Sequence, residues 1–222
     1  MSDRREERPA IVFDLDGTLV DSLPDILASF VHAFSTCGLA APSQRELRDL
    51  IGLPLEGIFA EFARSDAVPT LCAAYREHYP RHFTTHSRPF PGVVRVLEVL
   101  RRRGYLLAVA TTKRTAMAER FVAAMGLADY LDHVQGTDGF PHKPAPDVIL
   151  RALGALRARG TWMVGDTVHD VEAGKAARLS TYALTWGTHD AERLREAMPD
   201  RLCDAIEPLL NAVRGDAEGV TG

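Results

Sequence analysis

Ile11-Val12-Phe13-Asp14-Leu15-Asp16-Gly17-Thr18-Leu19-Val20-Asp21-Ser22 puts two carboxylates two residues apart at the end of an apolar strand and follows them at once with a glycine. In an extended chain side chains i and i+2 point the same way, so Asp14 and Asp16 share one face while Leu15 packs behind them. Carboxylates roughly 4 Å apart repel by about 4 kcal/mol at an effective dielectric of roughly 20. Such a site calls for a proton or a cation, and a hard divalent ion such as Mg2+ fits best. Gly17 lets the backbone turn sharply and approach a ligand, and Thr18 offers a hydroxyl and an amide at the same spot. A capped strand end before a helix is the structural alternative.

Three further segments carry chemistry. Leu106-Leu107-Ala108-Val109-Ala110 is an apolar strand that ends in Thr111-Thr112-Lys113; a threonine there can bind an anion or simply cap the next helix. His142-Lys143-Pro144-Ala145-Pro146-Asp147 holds one of only three lysines, the others being Lys113 and Lys175, in a chain that otherwise uses arginine. A compact ammonium suits a position between a carboxylate and a second anion. Met163-Val164-Gly165-Asp166-Thr167-Val168-His169-Asp170 is again a strand reaching an acid. With a helix starting there, Asp166 sits at its mouth and Asp170 one turn inside on the same side.

In this order the four segments resemble the motifs of the haloacid dehalogenase superfamily: Asp-x-Asp-Gly-Thr with the first Asp as nucleophile, a Thr or Ser after the next core strand, Lys-Pro-x-Pro-Asp, and Gly-Asp with a second Asp behind it. The resemblance spans roughly residues 10–190. It implies Asp14, Asp16 and Lys143 as catalytic residues, and Thr111, Thr112, Lys143 and Gly17 as the phosphate cradle. It implies Mg2+ held by Asp14, Asp16 through its carbonyl, and Asp166, with Asp170 holding a metal-bound water or orienting Lys143. Many relatives carry Asn where this chain has Thr112, which keeps the backbone amide and changes the side-chain donor.

Strands are expected near 10–15, 105–111, 132–136, 161–166 and 181–186, separated mostly by helical patterns. That alternation predicts an α/β fold, a Rossmann-like doubly wound parallel sheet with ligands bound beyond the carboxyl ends of its strands. One stretch breaks the alternation. Residues 20–85 read as helical throughout and are bordered by Ser22-Leu23-Pro24 and His86-Ser87-Arg88-Pro89-Phe90-Pro91-Gly92. They are expected to form an inserted α-helical cap domain, with 1–19 and 86–222 as the core. A cap after the first motif marks one branch of the family. Within it Gly52-Leu53-Pro54-Leu55 interrupts the pattern as a loop facing substrate, and Arg48, Arg76 and His78 are candidate anion contacts. His78 and His82 are spaced i, i+4 as in a metal pair, but Pro80 between them disfavours the helix such a pair needs.

The 222 residues carry a formal net charge of −4 and a pI near 6.1, which gives no electrostatic footprint for nucleic acid or an anionic membrane. Arg101-Arg102-Arg103 follows apolar Val93, Val96, Leu97 and Leu100, so it belongs to the solvated end of an amphipathic helix. Cys37, Cys72 and Cys203 are odd in number and widely spaced, which fits a reducing compartment and neither a disulfide frame nor a zinc site. No apolar run approaches the roughly 20 residues of a membrane span, and Met1 to Pro9 is charged. A cytoplasmic protein, monomer or homodimer, is expected. The tail after Arg214 is expected to be frayed.

No lysine lies between Val20 and Thr85, so a Schiff base from the cap, as phosphonate-cleaving relatives use, is excluded. Dehalogenating relatives lack the second Asp of the first motif, whereas Asp16 can protonate a leaving alkoxide or phosphate. The expected reaction is therefore hydrolysis of a small phosphorylated metabolite through an aspartyl-phosphate. The opening motif most resembles phosphoglycolate phosphatases. Pyrophosphatases, sugar-phosphate and nucleotide phosphatases and β-phosphoglucomutase-like enzymes share every motif, and a non-catalytic binder of a phosphorylated ligand is a further alternative.

Overall fold

The computed structural model describes residues 8–213, so most of the charged N-terminal segment and the tail after Arg214 lie outside the described residues. The strands run in chain order β1 (Pro9–Phe13), β2 (Val20–Asp21), β3 (Arg88–Pro89), β4 (Leu106–Ala110), β5 (His133–Gln135), β6 (Arg159–Gly165), β7 (Ser180–Leu184) and β8 (Arg201–Cys203). Six of them form one sheet in the order β5-β4-β1-β6-β7-β8, every pair parallel. The expected doubly wound α/β architecture is what the chain adopts. Ala10 to Phe13 and Leu107 to Ala110 are fully buried, because helices cover both faces of the sheet and its central strands must be apolar throughout.

Five strands fall where the apolar runs place them. The sixth, β8, has only three residues, one of them apolar besides its cysteine, and carries no alternation to read. The helix α5 (Val93–Arg102) buries Val93, Val96, Leu97 and Leu100 on one face. Its arginine end is as expected: Arg102 pairs with Glu98 at 2.8 Å and Arg101 with Asp132 at 3.4 Å. Arg103 does more than meet water, donating to the Leu210 carbonyl at 2.6 Å.

Between β2 and β3 lie four helices, α1 (Leu23–Thr36), α2 (Gln44–Arg48), α3 (Leu55–Phe62) and α4 (Val68–His82). Beyond β3 come α5, α6 (Thr115–Ala124), α7 (Asp147–Leu156), α8 (Val168–Ala176), α9 (Ala191–Glu196) and α10 (Leu209–Ala212). The long pair α1 and α4 packs through aromatic rings: Phe30 meets Tyr75 at 4.8 Å and Phe59 of α3 at 5.0 Å between centroids. Against expectation α4 runs unbroken through Pro80 to His82. The proline sits in the last turn, where few hydrogen bonds remain to be lost, and the Tyr75–Tyr79 stack at 5.4 Å holds the preceding turn against its neighbours. His78 and His82 accordingly stack at 3.9 Å, with His32 of α1 stacked on His78 at 4.0 Å.

The two chain crossings into and out of this helical layer lie side by side. Val20 pairs with Pro89 and Asp21 with Arg88 in an antiparallel ribbon. Asp25, in the first turn of α1 and 1 % exposed, accepts hydrogen bonds from the backbone N–H groups of His86 and Ser87 and from the Ser87 hydroxyl, at 2.8–3.1 Å. Its Oδ1 also lies 2.8 Å from His86 Nδ1.

Burial alone would push the Asp25 carboxyl up, but the hydrogen bonds from His86 and Ser87 outweigh it and hold the pKa below the ordinary value. A carboxylate with a lowered folded pKa contributes stability that is complete above its unfolded pKa of roughly 4 and fades as the pH falls through the folded value. Asp25→Ala is expected to lower the unfolding free energy by about 2–3 kcal/mol at pH 7, since it strands buried donors. The difference from wild type should shrink in urea melts taken at roughly pH 3, and a gap independent of pH would contradict the assignment.

Candidate active site

β1 lies at the point where the sheet order reverses, with β4 on one side and β6 on the other. Crevices at such points are where doubly wound sheets bind ligands. Phe13 is in register with both Val109 and Val164, so the residues that follow each strand emerge together. Asp14 extends the ladder by donating its N–H to the Val164 carbonyl at 2.8 Å. Lys143 arrives from the loop between β5 and α7, and its ammonium donates to Asp14 Oδ1, to Asp170 Oδ1 at 2.5 Å and to the Ala110 carbonyl at 3.1 Å. Its three N–H groups are thereby all engaged.

Asp166 is fully buried. Its Oδ1 accepts from the Thr18 hydroxyl and its Oδ2 from the Thr188 N–H, both at 2.7 Å. Gly17, at φ +79°, and Gly187 are both pressed against this carboxylate, and a Cβ on either would overlap it. Asp170 receives Thr167 N–H and hydroxyl on its Oδ2, at 3.0 and 2.6 Å, as the reciprocal cap of α8. Lys143 meets its other oxygen. Asp16 accepts from the Ser22 hydroxyl and from the Lys113 ammonium, each at 2.6 Å.

Above these groups lies a cavity of about 710 Å³ between the strand ends and the inserted helices. Asp14, Asp16, Thr111, Thr112, Lys143 and Asp170 line it from below, and Gly52 and Arg76 from above. Other expected residues stand elsewhere. Gly17 faces Asp166 and a smaller separate cavity of about 120 Å³, together with Arg48. Arg48 is exposed at the end of α2, so its helix turns it away from the larger cavity. His78 bonds Ser29 at 3.0 Å and stacks between His32 and His82 on the far side of α4.

Two groups went unread in the sequence. Lys113 was visible as one of three lysines, two residues after Thr111, but only the fold carries it over to Asp16. The Gly187-Thr188 turn holds Asp166 from beyond β7 and has no motif around it. Tyr79 also lines the cavity, and its buried hydroxyl has no hydrogen-bond partner among the described residues.

Residues 11–184 match the family described as "Haloacid dehalogenase-like hydrolase". "Probable phosphatase IndB" of Dickeya dadantii is 36% identical over 214 residues, covering 92% of this chain and 93% of that protein. A "Phosphoglycolate phosphatase" of Mesorhizobium japonicum is 32% identical over 212 residues, with 91% and 93% covered. Among solved structures, a haloacid dehalogenase-like hydrolase of Streptococcus pneumoniae superposes with a TM-score of 0.83 at 28% identity, over 94% of this chain and 98% of that one.

The charges at the strand ends do not balance by themselves. Asp14, Asp166 and Asp170 are buried and offer oxygens within 4.8 Å of one another, against the single ammonium of Lys143 in contact with them. Burial pushes the Asp14 carboxyl well above its ordinary pKa despite Lys143, and burial with Asp170 nearby pushes Asp166 up to about 7. Burial would lower Lys143, but Asp14 and Asp170 together raise it, so it stays protonated. In a chelator, Asp166→Asn is therefore expected to raise the unfolding free energy by about 1–3 kcal/mol, its amide meeting Thr18 while its carbonyl keeps the Thr188 N–H. A lowered urea midpoint would show that the Asp166 charge supports the fold.

Proposed function

Because the chain belongs to the haloacid dehalogenase-like hydrolase family, we propose that it is a Mg2+-dependent phosphatase that hydrolyses a small-molecule phosphate monoester through an aspartyl-phosphate on Asp14. The observation that carries this reading is the buried Asp14 carboxylate at the floor of the cavity, with one oxygen fixed by Lys143. Anchoring one oxygen orients the other for in-line attack on phosphorus. Asp16, the next carboxylate along the cavity, carries a proton on Oδ1, where the Ser22 hydroxyl can accept as well as donate, gives it to the leaving oxygen and afterwards takes one from the attacking water. Lys113 holds Asp16 Oδ2 in place. Thr111 and Thr112 face the phosphoryl oxygens, and Lys143 offsets their charge through its contact with Asp14.

Three buried carboxylates crowded around one ammonium leave an excess of negative charge that suits a hard divalent cation. Mg2+ would be held by Asp14, Asp166 and the Asp16 carbonyl, and supplies charge neutralisation for the phosphoryl group. Asp170 is already paired with the Lys143 ammonium, whereas Asp166 meets only the neutral Thr18 hydroxyl and Thr188 N–H, so the part of Asp170 is to position Lys143. In this reading residues 20–85 act as a cap over a core of 1–19 and 86–222, excluding bulk water from the intermediate. The three free cysteines suit a cytoplasmic setting. The relatives make 2-phosphoglycolate a substrate to assay, but the cradle itself requires only a monoester.

The test is phosphate release with and without Mg2+ from 2-phosphoglycolate, pyrophosphate, sugar phosphates and nucleotides. Asp14→Asn should reduce kcat by about 10⁴-fold or more, and chelation should abolish turnover until Mg2+ is restored. Release from no substrate, or undiminished release by the variant, would refute the reading. Lys113→Met should lower kcat by about 10²-fold with a smaller change in KM, and equal loss in both would place Lys113 in substrate binding instead.

A further inference from the structure

A single hydrogen bond does not fix a lysine. Lys113 stands on a flexible four-carbon stem, and its ammonium has one hydrogen-bond acceptor among the described residues, Asp16 Oδ2 at 2.6 Å. Its side chain is nonetheless only 12% exposed. What encloses it is aromatic: the ammonium lies over the Tyr79 ring, 4.9 Å from the centroid, and over the Phe121 ring at 5.3 Å. Both separations fall inside the roughly 6 Å at which a cation is drawn to the negative face of a ring.

The two rings come from different parts of the chain. Phe121 belongs to α6, beside the sheet, and Tyr79 to α4, among the inserted helices. Phe83 bridges them, 6.0 Å from Tyr79 and edge-on to Phe121 at 5.4 Å. Tyr79 is 3% exposed and stacked on Tyr75, so its ring moves only with its helix and covers Lys113 while α4 is docked on α6. The Tyr79 hydroxyl is buried without a hydrogen-bond partner among the described residues, which leaves the ring as the part of this side chain that acts on Lys113.

Resting on the phosphatase reading, we propose that Tyr79 is a positioning residue for proton transfer, its ring holding the Lys113 ammonium where it fixes Asp16 Oδ2. Asp16 then presents Oδ1 to the leaving oxygen in one orientation. The inserted helices thereby act on the proton-transferring carboxylate through a ring face and a cation, and that carboxylate is fully oriented only while α4 is docked on α6.

The experiment measures kcat and KM, with Mg2+ present, on the substrate of the phosphate-release panel that wild type turns over fastest. Tyr79→Leu is expected to lower kcat by about 10-fold and to change KM by less than about twofold. Tyr79→Phe keeps the ring and should keep the wild-type kcat. In a Lys113→Met background Tyr79→Leu should cost nothing further, because the two side chains act as one unit. Leucine at a buried site also loosens packing, so the ring is varied at nearly constant shape as well: progressively fluorinated phenylalanines at position 79 should lose kcat stepwise as the ring face loses its negative charge. Equal losses from Tyr79→Leu in both backgrounds, or a kcat indifferent to fluorination, overturn the proposal and leave the phosphatase reading standing. Phosphate release by wild type from no substrate of the panel overturns both.

Discussion

The Lys143 ammonium is the interaction on which the rest of the site depends. Its three N–H groups reach Asp14 beyond β1, the last carbonyl of β4 and Asp170 in the first turn of α8. One cation therefore joins three parts of the fold that are far apart in sequence. An ion held this deeply is expensive to desolvate, and only complete partnering makes it tolerable. It also sets the conformation of Asp14, which has no other side-chain hydrogen bond among the described residues.

Close packing around the acids depends on what the chain leaves out. Gly17 and Gly187 flank Asp166, and Gly165 is pressed against Asp170, all at separations a methyl group would violate. The carboxylates are thus confined from behind by backbone and from the side by hydroxyls and amides, and they keep their spacing despite mutual repulsion. Such a site is precise because rigid sheet ends and helix caps position the carboxylates and the fully partnered Lys143 joins them. The unfavourable charge density is local, and the wholly apolar central strands beneath carry it.

The sheet was legible because β1, β4 and β6 end in motif residues and the central strands β1 and β4 are continuous apolar runs. Asp14, Asp16, Thr111, Lys143 and Asp170 could be named because each follows a strand or loop that delivers it to one edge. What escaped was whatever a neighbour in space decides. Lys113 looks like a surface lysine until β4 and β1 are set side by side, and Thr188 is anonymous until its N–H meets Asp166. Arg48 and His78 failed for the converse reason, since helical phase, invisible in a short or weakly amphipathic helix, turns them away from the cavity. Pro80 does not end its helix because it falls in a last turn supported by stacked rings.

The paired crossings at Val20–Asp21 and Arg88–Pro89 have a mechanical meaning. Two separate tethers would let a helical layer tilt, slide and twist, whereas two strands hydrogen-bonded into one ribbon leave chiefly torsion about a common axis. Ser22, the residue where that axis enters α1, donates directly to Asp16. The residue that closes the hinge ribbon and the carboxylate at the cavity are therefore joined by one hydrogen bond, so the entry angle of the helical layer and the orientation of Asp16 share a single fastening.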